Sequence, residues 1–294
     1  MHASTQSTRT WTILSLIEWA TRYLDERGFE DSRLNVELLL ANTLDLQRIS
    51  LYTSFDRPLN SDELQEFKLV FQRRLDHEPL QYILGKAEFM GISLDVNRSV
   101  LVPRPETEEL VQKALEWIKD LDTPRVDILD IGTGSGNIPI AFERFSPRTY
   151  ITSIDVSTEA LAVASRNVEQ NECSRIVLKH QNVFESAFPV NAFDMIISNP
   201  PYVSAEEFVA LQPEVKDFEP VIATTDNADG LSFPRRICQM AVRSLRAGGA
   251  VFIEVAYNQG PDVRRMATDA GLVGVEVFRD MAGHERILQG FRAA

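Results

Sequence analysis

The chain has 294 residues, of which 44% are hydrophobic, and it carries a formal net charge of −13. This length exceeds what one ordinary core needs, so we expect two domains or one large domain with an extension. The acidic balance argues against a partner bound mainly through its phosphates, because such a partner calls for a basic footprint.

The cysteines, histidines and apolar runs restrict the class of protein further. Cys173 and Cys238 lie far apart with no CxxC spacing, so we expect a cytoplasmic protein without a disulfide scaffold. The four histidines show no paired-ligand spacing, and we therefore expect no metal site. No apolar run has the pattern of a membrane span or a secretory signal, so we expect no membrane partner.

Residues 1–83 are predicted to form a small all-α domain. Apolar residues recur at helical spacing in residues 11–27 and 33–44, and a third helix over Ser61–Leu75 opens with Ser61 as its N-cap. No strand pattern interrupts these helices. We interpret this segment as a domain that recognises the substrate.

Residues 84–104 are predicted to link this helical domain to the rest of the chain. Apolar and polar residues alternate between positions 89 and 96, which indicates a β-hairpin. The prolines at positions 103 and 105 then predict a helix that begins near Thr107, because proline is favoured at the start of a helix.

From residue 105 to residue 294 the chain is predicted to form one α/β domain. Strand and helix patterns alternate, which indicates a mainly parallel sheet with helices on both faces. A closing hairpin with its turn around Gly283 would add an antiparallel edge strand. The predicted strands cover Val126–Ile131, residues 150–155, Ile176–His180, Phe193–Ser198 and residues 250–255, and the predicted helices cover residues 138–145, Thr158–Gln170 and residues 232–245.

A glycine-rich loop follows the first predicted strand of this domain. In "DIGTGSGN", Gly132, Gly134 and Gly136 allow a sharp turn and a close approach to a ligand, because none has a Cβ. The spacing is GxGxG rather than the GxGxxG of dinucleotide-binding proteins, so a pyrophosphate ligand fits less well. Asp130 adds an acidic group at the end of the strand.

Asp155 ends the second predicted strand, in "TSIDVS". A carboxylate at this place can accept hydrogen bonds from both ribose hydroxyls of a nucleoside that lies across the carboxyl edge of the sheet. The alternative is that Asp155 only caps the helix that starts near Thr158. Together with the glycine loop, it indicates a cofactor that contains adenosine.

The stretch "IISNPPYV", residues 196–203, ends the fourth strand at the same edge of the sheet. Two prolines stop a strand in any case, but they also present carbonyl acceptors without competing N–H donors. The side chain of Asn199 and the carbonyl of Pro200 could each accept one N–H of a planar –NH2 group, while Tyr202 stacks on its plane. The loop therefore indicates that an amide or amine nitrogen is methylated.

These motifs resemble those of class I S-adenosylmethionine-dependent methyltransferases. Further stretches at residues 78–85, 100–111, 217–220, 229–230 and 283–286 narrow the resemblance to the release factor glutamine methyltransferase (PrmC/HemK) family. The resemblance implies a Rossmann-like seven-stranded sheet, S-adenosylmethionine as methyl donor, no metal, and class I peptide chain release factors as the protein substrate of a monomeric enzyme. It implies cofactor contacts at Gly132, Thr133, Gly134, Ser135, Gly136, Asp155, Asn182, Val183 and Asn199, substrate contacts at Asn199, Pro200, Pro201 and Tyr202, and catalytic roles for Asn199, Pro200 and Tyr202.

One position departs from the family pattern. The family often has Asp-Trp-Phe after the third strand, where this chain has Asn182-Val183-Phe184. The Asn182 carbonyl can still accept from the adenine amine, but the tryptophan face is lost at Val183.

Some roles and functions remain open at this point. Arg104 and Glu106 are candidates for catalysis, or they pair with each other or anchor the link between domains. Acidic residues at 214, 217 and 219 either wall the pocket or form a solvated loop. The alternative functions are methylation of a ribosomal-protein glutamine, methylation of the adenine amine in DNA or RNA, and nucleotide binding without catalysis.

Overall fold

The computed structural model describes residues 10–294 and divides into two compact units between Leu84 and Gly85. The first nine residues of the predicted helical domain lie outside the described range. Each unit has its own hydrophobic core. The predicted functional boundaries at residues 83 and 104 stay predictions.

The first unit is helical, as predicted. Its first and fourth helices begin with capping boxes, in which Thr12 and Asn60 accept from backbone N–H groups of the first turn. The N-cap of the fourth helix is therefore Asn60, one residue before the predicted Ser61. The helices are α1 (Ile13–Asp25), α2 (Ser32–Thr43), α3 (Arg48–Tyr52), α4 (Ser61–Leu75) and α5 (Leu80–Leu84).

The second unit opens with the predicted hairpin, β1 (Lys86–Phe89) and β2 (Ile92–Asp95), whose strands pair antiparallel. The hairpin packs on the core of this unit, and Asn167 bonds the backbone of Asp95 through both ends of its amide. Helix α6 (Pro105–Lys119) follows. It begins two residues before the predicted Thr107, because Pro105 occupies the first helical position.

The second unit is built on a seven-stranded, mostly parallel sheet, which confirms the predicted class of fold. The strands stand in the order β5-β4-β3-β6-β7-β9-β8. From β3 the chain first adds β4 and β5 on one side and then crosses to add β6 on the other side. Ligands of open α/β sheets bind at such a switch point, here between β3 and β6. The strands are β3 (Val126–Ile131), β4 (Thr149–Asp155), β5 (Ile176–His180), β6 (Phe193–Ser198), β7 (Leu245–Glu254), β8 (Leu272–Arg279) and β9 (Glu285–Arg292).

The sequence suggested an antiparallel strand at the edge of the sheet, but the antiparallel strand lies one position inside the edge. Strand β9 pairs antiparallel with both β7 and β8, so it lies between them and β8 forms the edge. The hairpin around Gly283 thus places its second strand inward. Strand alternation could predict the hairpin but not which of its strands pairs with the sheet.

Helices cover both faces of the sheet. Alternate residues of each strand face opposite sides, and the two buried clusters contain α6 and α7 on one side and α12 and α13 on the other. The sequence had not predicted α13 or the short helices between β6 and α12. The remaining helices are α7 (Asn137–Phe145), α8 (Thr158–Gln170), α9 (Ala205–Phe208), α10 (Pro213–Lys216), α11 (Val221–Thr224), α12 (Ser232–Ser244) and α13 (Gly260–Asp269).

Candidate active site

A cavity of about 240 Å³ lies at the carboxyl ends of β3, β4 and β6. Twelve residues were predicted as site residues, and the structure brings ten of them to the walls of this one cavity. Gly136 and Tyr202 are not among the lining residues. The lining residues that the sequence predicted are Gly132, Thr133, Gly134, Ser135, Asp155, Asn182, Val183, Asn199, Pro200 and Pro201.

The glycine loop needs its glycines for two different reasons. Gly132, Gly134 and Gly136 have φ angles of +76°, +54° and +82°, a region that side chains with a Cβ rarely adopt. At Gly136 a Cβ would also press against Ala164 and Ile140 at 3.4 Å. Gly136 therefore lets α7 pack against α8, whereas Gly132 and Gly134 face the cavity.

Asp155 supports the glycine loop and still has acceptor capacity. Its Oδ2 accepts from the backbone N–H of Gly134 at 2.9 Å, and its Oδ1 accepts from that of Ser157 at 2.9 Å. The N-cap of α8 is Ser157, whose Oγ accepts from the N–H of Ala160. Asp155 is thus not the helix cap, and each of its oxygens keeps a lone pair for a further donor.

Asp130 is a fully buried acid at the end of β3, directly before the loop. Among residues 10–294, no group hydrogen-bonds to either of its carboxyl oxygens, and the hydroxyls of Thr133 and Ser153 are likewise without partners. Burial raises the pKa of Asp130 to about 7, and the nearby Asp155 carboxylate acts in the same direction. A cationic ligand in the adjacent cavity would favour the charged form of this carboxyl group. The buried acid therefore fits a sulfonium or ammonium ligand.

Aromatic side chains line the cavity near the position where the family tryptophan is missing. Asn182 Oδ1 accepts from the N–H of Phe184 at 2.9 Å, and the Val183 side chain is buried in the core. Phe184 and Phe233 both reach the cavity and meet edge to face, with ring centroids 4.9 Å apart. These two rings can provide the aromatic face for a flat base that Val183 lacks.

The side chain of Asn199 is held in one orientation. Its Nδ2 donates to Thr107 Oγ1 at 2.8 Å, and the Thr107 hydroxyl donates to Glu254 Oε2 at 2.7 Å. The Asn199 Oδ1 is left as the acceptor of this amide. Asn199 therefore presents an oxygen, which is what an N–H of a substrate requires.

Tyr202 is held from two sides. Its hydroxyl donates to Glu254 Oε1 at 3.2 Å, and its carbonyl accepts from Gln259 Nε2 at 3.0 Å. Burial and the nearby Glu254 raise the pKa of Tyr202 well above its ordinary value, so the phenol stays neutral. A Cβ on Gly230 would lie only 2.3 Å from the Tyr202 carbonyl oxygen, which explains the glycine of the "DG" motif.

Arg104 pairs with Glu219 and not with Glu106, so one interpretation of the sequence is wrong. Arg104 Nη2 lies 2.7 and 2.8 Å from the two carboxylate oxygens of Glu219. Burial raises the pKa of Glu219, an effect that Arg104 opposes. The pair joins the segment before α6 to the segment after α10, and Arg104 and Pro220 both line the cavity.

Two negative observations concern residues 10–294. Within that range no helix is long and apolar enough to cross a membrane. In the same part of the chain, no three His, Cys, Asp or Glu side chains are grouped so that they could hold a metal ion.

Comparison with known proteins assigns the family. Residues 15–85 match the model of the PrmC N-terminal domain, and residues 114–213 match that of the methyltransferase small domain. The release factor glutamine methyltransferase of Rhodopirellula baltica is 39% identical over 290 residues, which cover 97% of this chain and 98% of the relative. The chain belongs to the release factor glutamine methyltransferase family. The resemblance found in the sequence is thereby confirmed.

Other similarities agree with this family. The release factor glutamine methyltransferase of Geobacter sulfurreducens is 38% identical over 286 residues, covering 97% of this chain and 99% of the relative. A solved methyltransferase from Pyrococcus furiosus is 18% identical, covers 79% of this chain and 99% of its own, and has a TM-score of 0.52. At that identity the structural similarity supports the fold alone.

Four residues of the site escaped the sequence analysis. Thr107 had been interpreted only as a helix start, and Phe233, Glu254 and Gln259 had not been considered. Glu254 carried a usable signal, since it is a charged residue at the end of the apolar run "AVFIE", where a buried strand reaches the ligand edge of the sheet. Phe233 and Gln259 carried no such signal, because only the folding of α12 and α13 onto the sheet brings them near the loop.

Proposed function

We propose that this chain transfers the methyl group of S-adenosylmethionine to the side-chain amide nitrogen of the glutamine in the Gly-Gly-Gln motif of class I peptide chain release factors. The names of its relatives support this substrate. The single observation that carries the proposal is the fixed amide of Asn199, which offers Oδ1 beside Pro200 and the glycine loop in one cavity.

The substrate amide is held through its two N–H bonds. One donates to Asn199 Oδ1 and the other to the carbonyl of Pro200, which lines the same cavity. Tyr202 lies next in the loop, with its ring fixed through its hydroxyl. Two acceptors on the –NH2 group increase the electron density on a nitrogen whose lone pair is otherwise delocalised into the carbonyl.

The glycine loop and Asp155 would hold the methyl donor. Gly132 and Gly134 leave room for a close approach to the backbone, and Asp155 has acceptor capacity for the ribose hydroxyls. Asn182, Val183 and the rings of Phe184 and Phe233 would surround the adenine. When bound, the sulfonium supplies an electrophilic methyl carbon, and the product is S-adenosylhomocysteine.

Catalysis by this site rests on positioning. The Asn199 loop fixes the nucleophilic nitrogen in the same cavity as the methyl donor. Proximity and orientation then make the bimolecular step effectively unimolecular. No general base is assigned, because the nitrogen becomes strongly acidic once methylated and can lose its proton to water or a carbonyl. Asn199 and Pro200 contact the reacting group, and Tyr202 orients it.

The helical unit, α1 to α5, recognises the body of the protein substrate in this proposal. It has a separate core and its own family match at residues 15–85. The enzyme acts as a cytoplasmic monomer without a nucleic-acid or membrane partner. The net charge of −13 disfavours the adenine amine of DNA or RNA as the alternative substrate.

The test is methylation of a purified release factor. After incubation with S-adenosylmethionine, mass spectrometry should find one methyl group in the peptide that contains the Gly-Gly-Gln motif, on glutamine. Duplex DNA and ribosomal protein, treated in the same way, are the controls. Methylation of either control in place of the release factor would overturn the proposal.

A further inference from the structure

Glu254 is a buried carboxyl group at the end of β7, and no role has yet been assigned to it. It is only 1% exposed, yet it lies where the central strands reach the cavity edge. A buried acid costs free energy unless hydrogen bonds compensate it, so its partners decide what it can do.

Both partners of Glu254 belong to the machinery around Asn199 and Tyr202. Oε2 accepts from the Thr107 hydroxyl at 2.7 Å, and Oε1 accepts from the Tyr202 hydroxyl at 3.2 Å. One carboxylate therefore connects α6 with the loop that follows β6. The two contacts span 147 and 52 residues of sequence, so they form only in the folded unit.

The direction of the hydrogen bonds follows from the chemistry of the groups. The Thr107 hydroxyl has one proton, and a carboxylate can only accept. Thr107 therefore donates to Glu254 and uses a lone pair to accept from Asn199 Nδ2. This order leaves Asn199 Oδ1 as the group that meets a substrate N–H.

We propose that the Glu254 carboxylate is a positioning residue that acts through Thr107 to fix which end of the Asn199 amide faces the substrate. It also holds Tyr202 in the same loop through the phenol hydroxyl. The inference rests on the proposed function and extends it, because it identifies the group that sets the polarity of the substrate-binding amide.

Protonation of Glu254 would remove this control. A protonated carboxyl can donate to Thr107, whose own proton is then free to turn toward Asn199 Oδ1, and the amide can reverse and present Nδ2. An N–H facing the substrate N–H repels it. The site is therefore active with Glu254 charged and loses activity as the group takes up a proton.

The surroundings of Glu254 put this change in an accessible pH range. Burial, with a smaller contribution from Glu106 on α6, raises the pKa of Glu254 to about 7, although the hydroxyls of Thr107 and Tyr202 and the cation of Arg286 on β9 act in the opposite direction. Turnover should thus fall as the pH is lowered through about 7, with one proton controlling the change.

The experiment compares the Glu254→Gln variant with the wild type, both as full-length proteins. Single-turnover methylation of the release factor is measured at saturating donor and substrate from pH 6 to pH 9. Glutamine has the shape of glutamate but never carries its charge. Turnover at pH 8 should fall about 10- to 100-fold, as for misplaced reacting groups, and the decline of the wild type below pH 7 should disappear. Glu276→Gln, the same change at an exposed position of β8, should leave rate and pH profile unaltered.

Two substitutions at Thr107 separate positioning from folding. Thr107→Val removes the hydroxyl and should reduce turnover as Glu254→Gln does, and the two losses should not add, because they break one connection. Thr107→Ser keeps the hydroxyl and should restore most of the activity. Thermal unfolding identifies any variant that fails to fold.

The outcomes distinguish this inference from the proposed function. If the wild type methylates no release factor, the proposed function fails. If the wild type is active, and folded Glu254→Gln stays within about threefold of it or keeps its pH profile, the positioning role alone is overturned, since a lost orientation costs far more.

Discussion

Arg104 and Glu219 form an ion pair across 115 residues of sequence, with Arg104 Nη2 at 2.7 and 2.8 Å from the two carboxylate oxygens. Glu219 is 5% exposed, whereas the Arg104 side chain is 32% exposed. The pair connects two segments that wall the cavity. The role of the ion pair is therefore to support the structure of the site.

Glu219→Ala should destabilise the protein and weaken donor binding. The two short hydrogen bonds that Arg104 donates to Glu219 are lost, at a cost of about 1–3 kcal/mol in unfolding free energy once screening at Arg104 is allowed for. Denaturant unfolding measures this, and the KM for the methyl donor should rise more than kcat falls. Asp262→Ala, which breaks an exposed pair with Arg265, should change neither. Equal effects of both substitutions would contradict the support role.

Asp155→Ala should weaken binding of S-adenosylmethionine in calorimetric titration. In the proposed function Asp155 accepts two charge-assisted hydrogen bonds from the ribose, and the variant loses both, each worth about 1.5–3 kcal/mol. Ser157→Ala is the matched control, because it removes the actual cap of α8 and should lower stability by about 1 kcal/mol while affinity is kept. Unchanged affinity in the Asp155 variant would show that Asp155 supports the glycine loop and does not bind the ribose.

The sequence was sufficient to predict the parts of the site that lie in contiguous motifs. The glycine loop, Asp155 and the Asn199 loop each follow a strand, and the carboxyl ends of parallel strands meet at one edge, so their convergence could be deduced. The alternation of strands and helices likewise predicted the sheet. These are local patterns with a fixed geometric consequence.

The parts that the sequence did not predict depend on long-range packing. Thr107, Glu254 and Gln259 reach the Asn199 loop only because α6 packs against β7 and the start of α13 lies beside Tyr202, and no pattern encodes these contacts. The predicted pairing of Arg104 with Glu106 was wrong for the same reason. The position of β9 inside the sheet is a matter of strand pairing, which alternation leaves open.

Asp130→Asn should stabilise the ligand-free protein above neutral pH. The folded-state pKa of about 7 exceeds the ordinary 3.8, so the stability from this group is greatest below about pH 4 and is lost as the pH rises through 7. A shift of this size corresponds to at most about 4 kcal/mol. The difference in unfolding free energy, variant minus wild type, should grow between pH 4 and pH 8.

The same substitution should weaken binding of the cationic methyl donor, because the neutral amide no longer favours a positive ligand. Asp122→Asn, at an exposed position before β3, is the control and should show neither effect. A difference in unfolding free energy that does not vary with pH would show that folding does not shift the pKa of Asp130.

Removal of residues 1–84 should leave a folded unit that binds the donor but methylates the release factor poorly. The second unit keeps its own two clusters of buried residues and the whole cavity. Calorimetry with S-adenosylmethionine tests folding and binding, and turnover is then compared on the intact release factor and on a short Gly-Gly-Gln peptide. Undiminished turnover of the intact factor would refute recognition by the helical unit.

Asn199→Ala should affect turnover far more than folding. In the proposed function the side chain contributes one acceptor to the substrate amide, and the loss of a single contact of this kind costs about 10²–10³ in turnover. The only side-chain hydrogen bond that the described structure gives it is the one to Thr107, so the melting temperature should change little. Single-turnover methylation at saturating donor and substrate measures the chemical step, and donor affinity should fall by less than the rate.

Ser198→Ala provides the matched control for this variant, since Ser198 precedes Asn199 at the end of β6. Its buried hydroxyl donates to the carbonyl of Ile131 at 2.8 Å and not to Asn199, Thr107 or Glu254. Its removal should lower stability by about 1 kcal/mol and leave most of the turnover. If Asn199→Ala turned over within about threefold of the wild type, a loss far below that of a direct catalytic contact, the two prolines after Asn199 would serve only to end the strand.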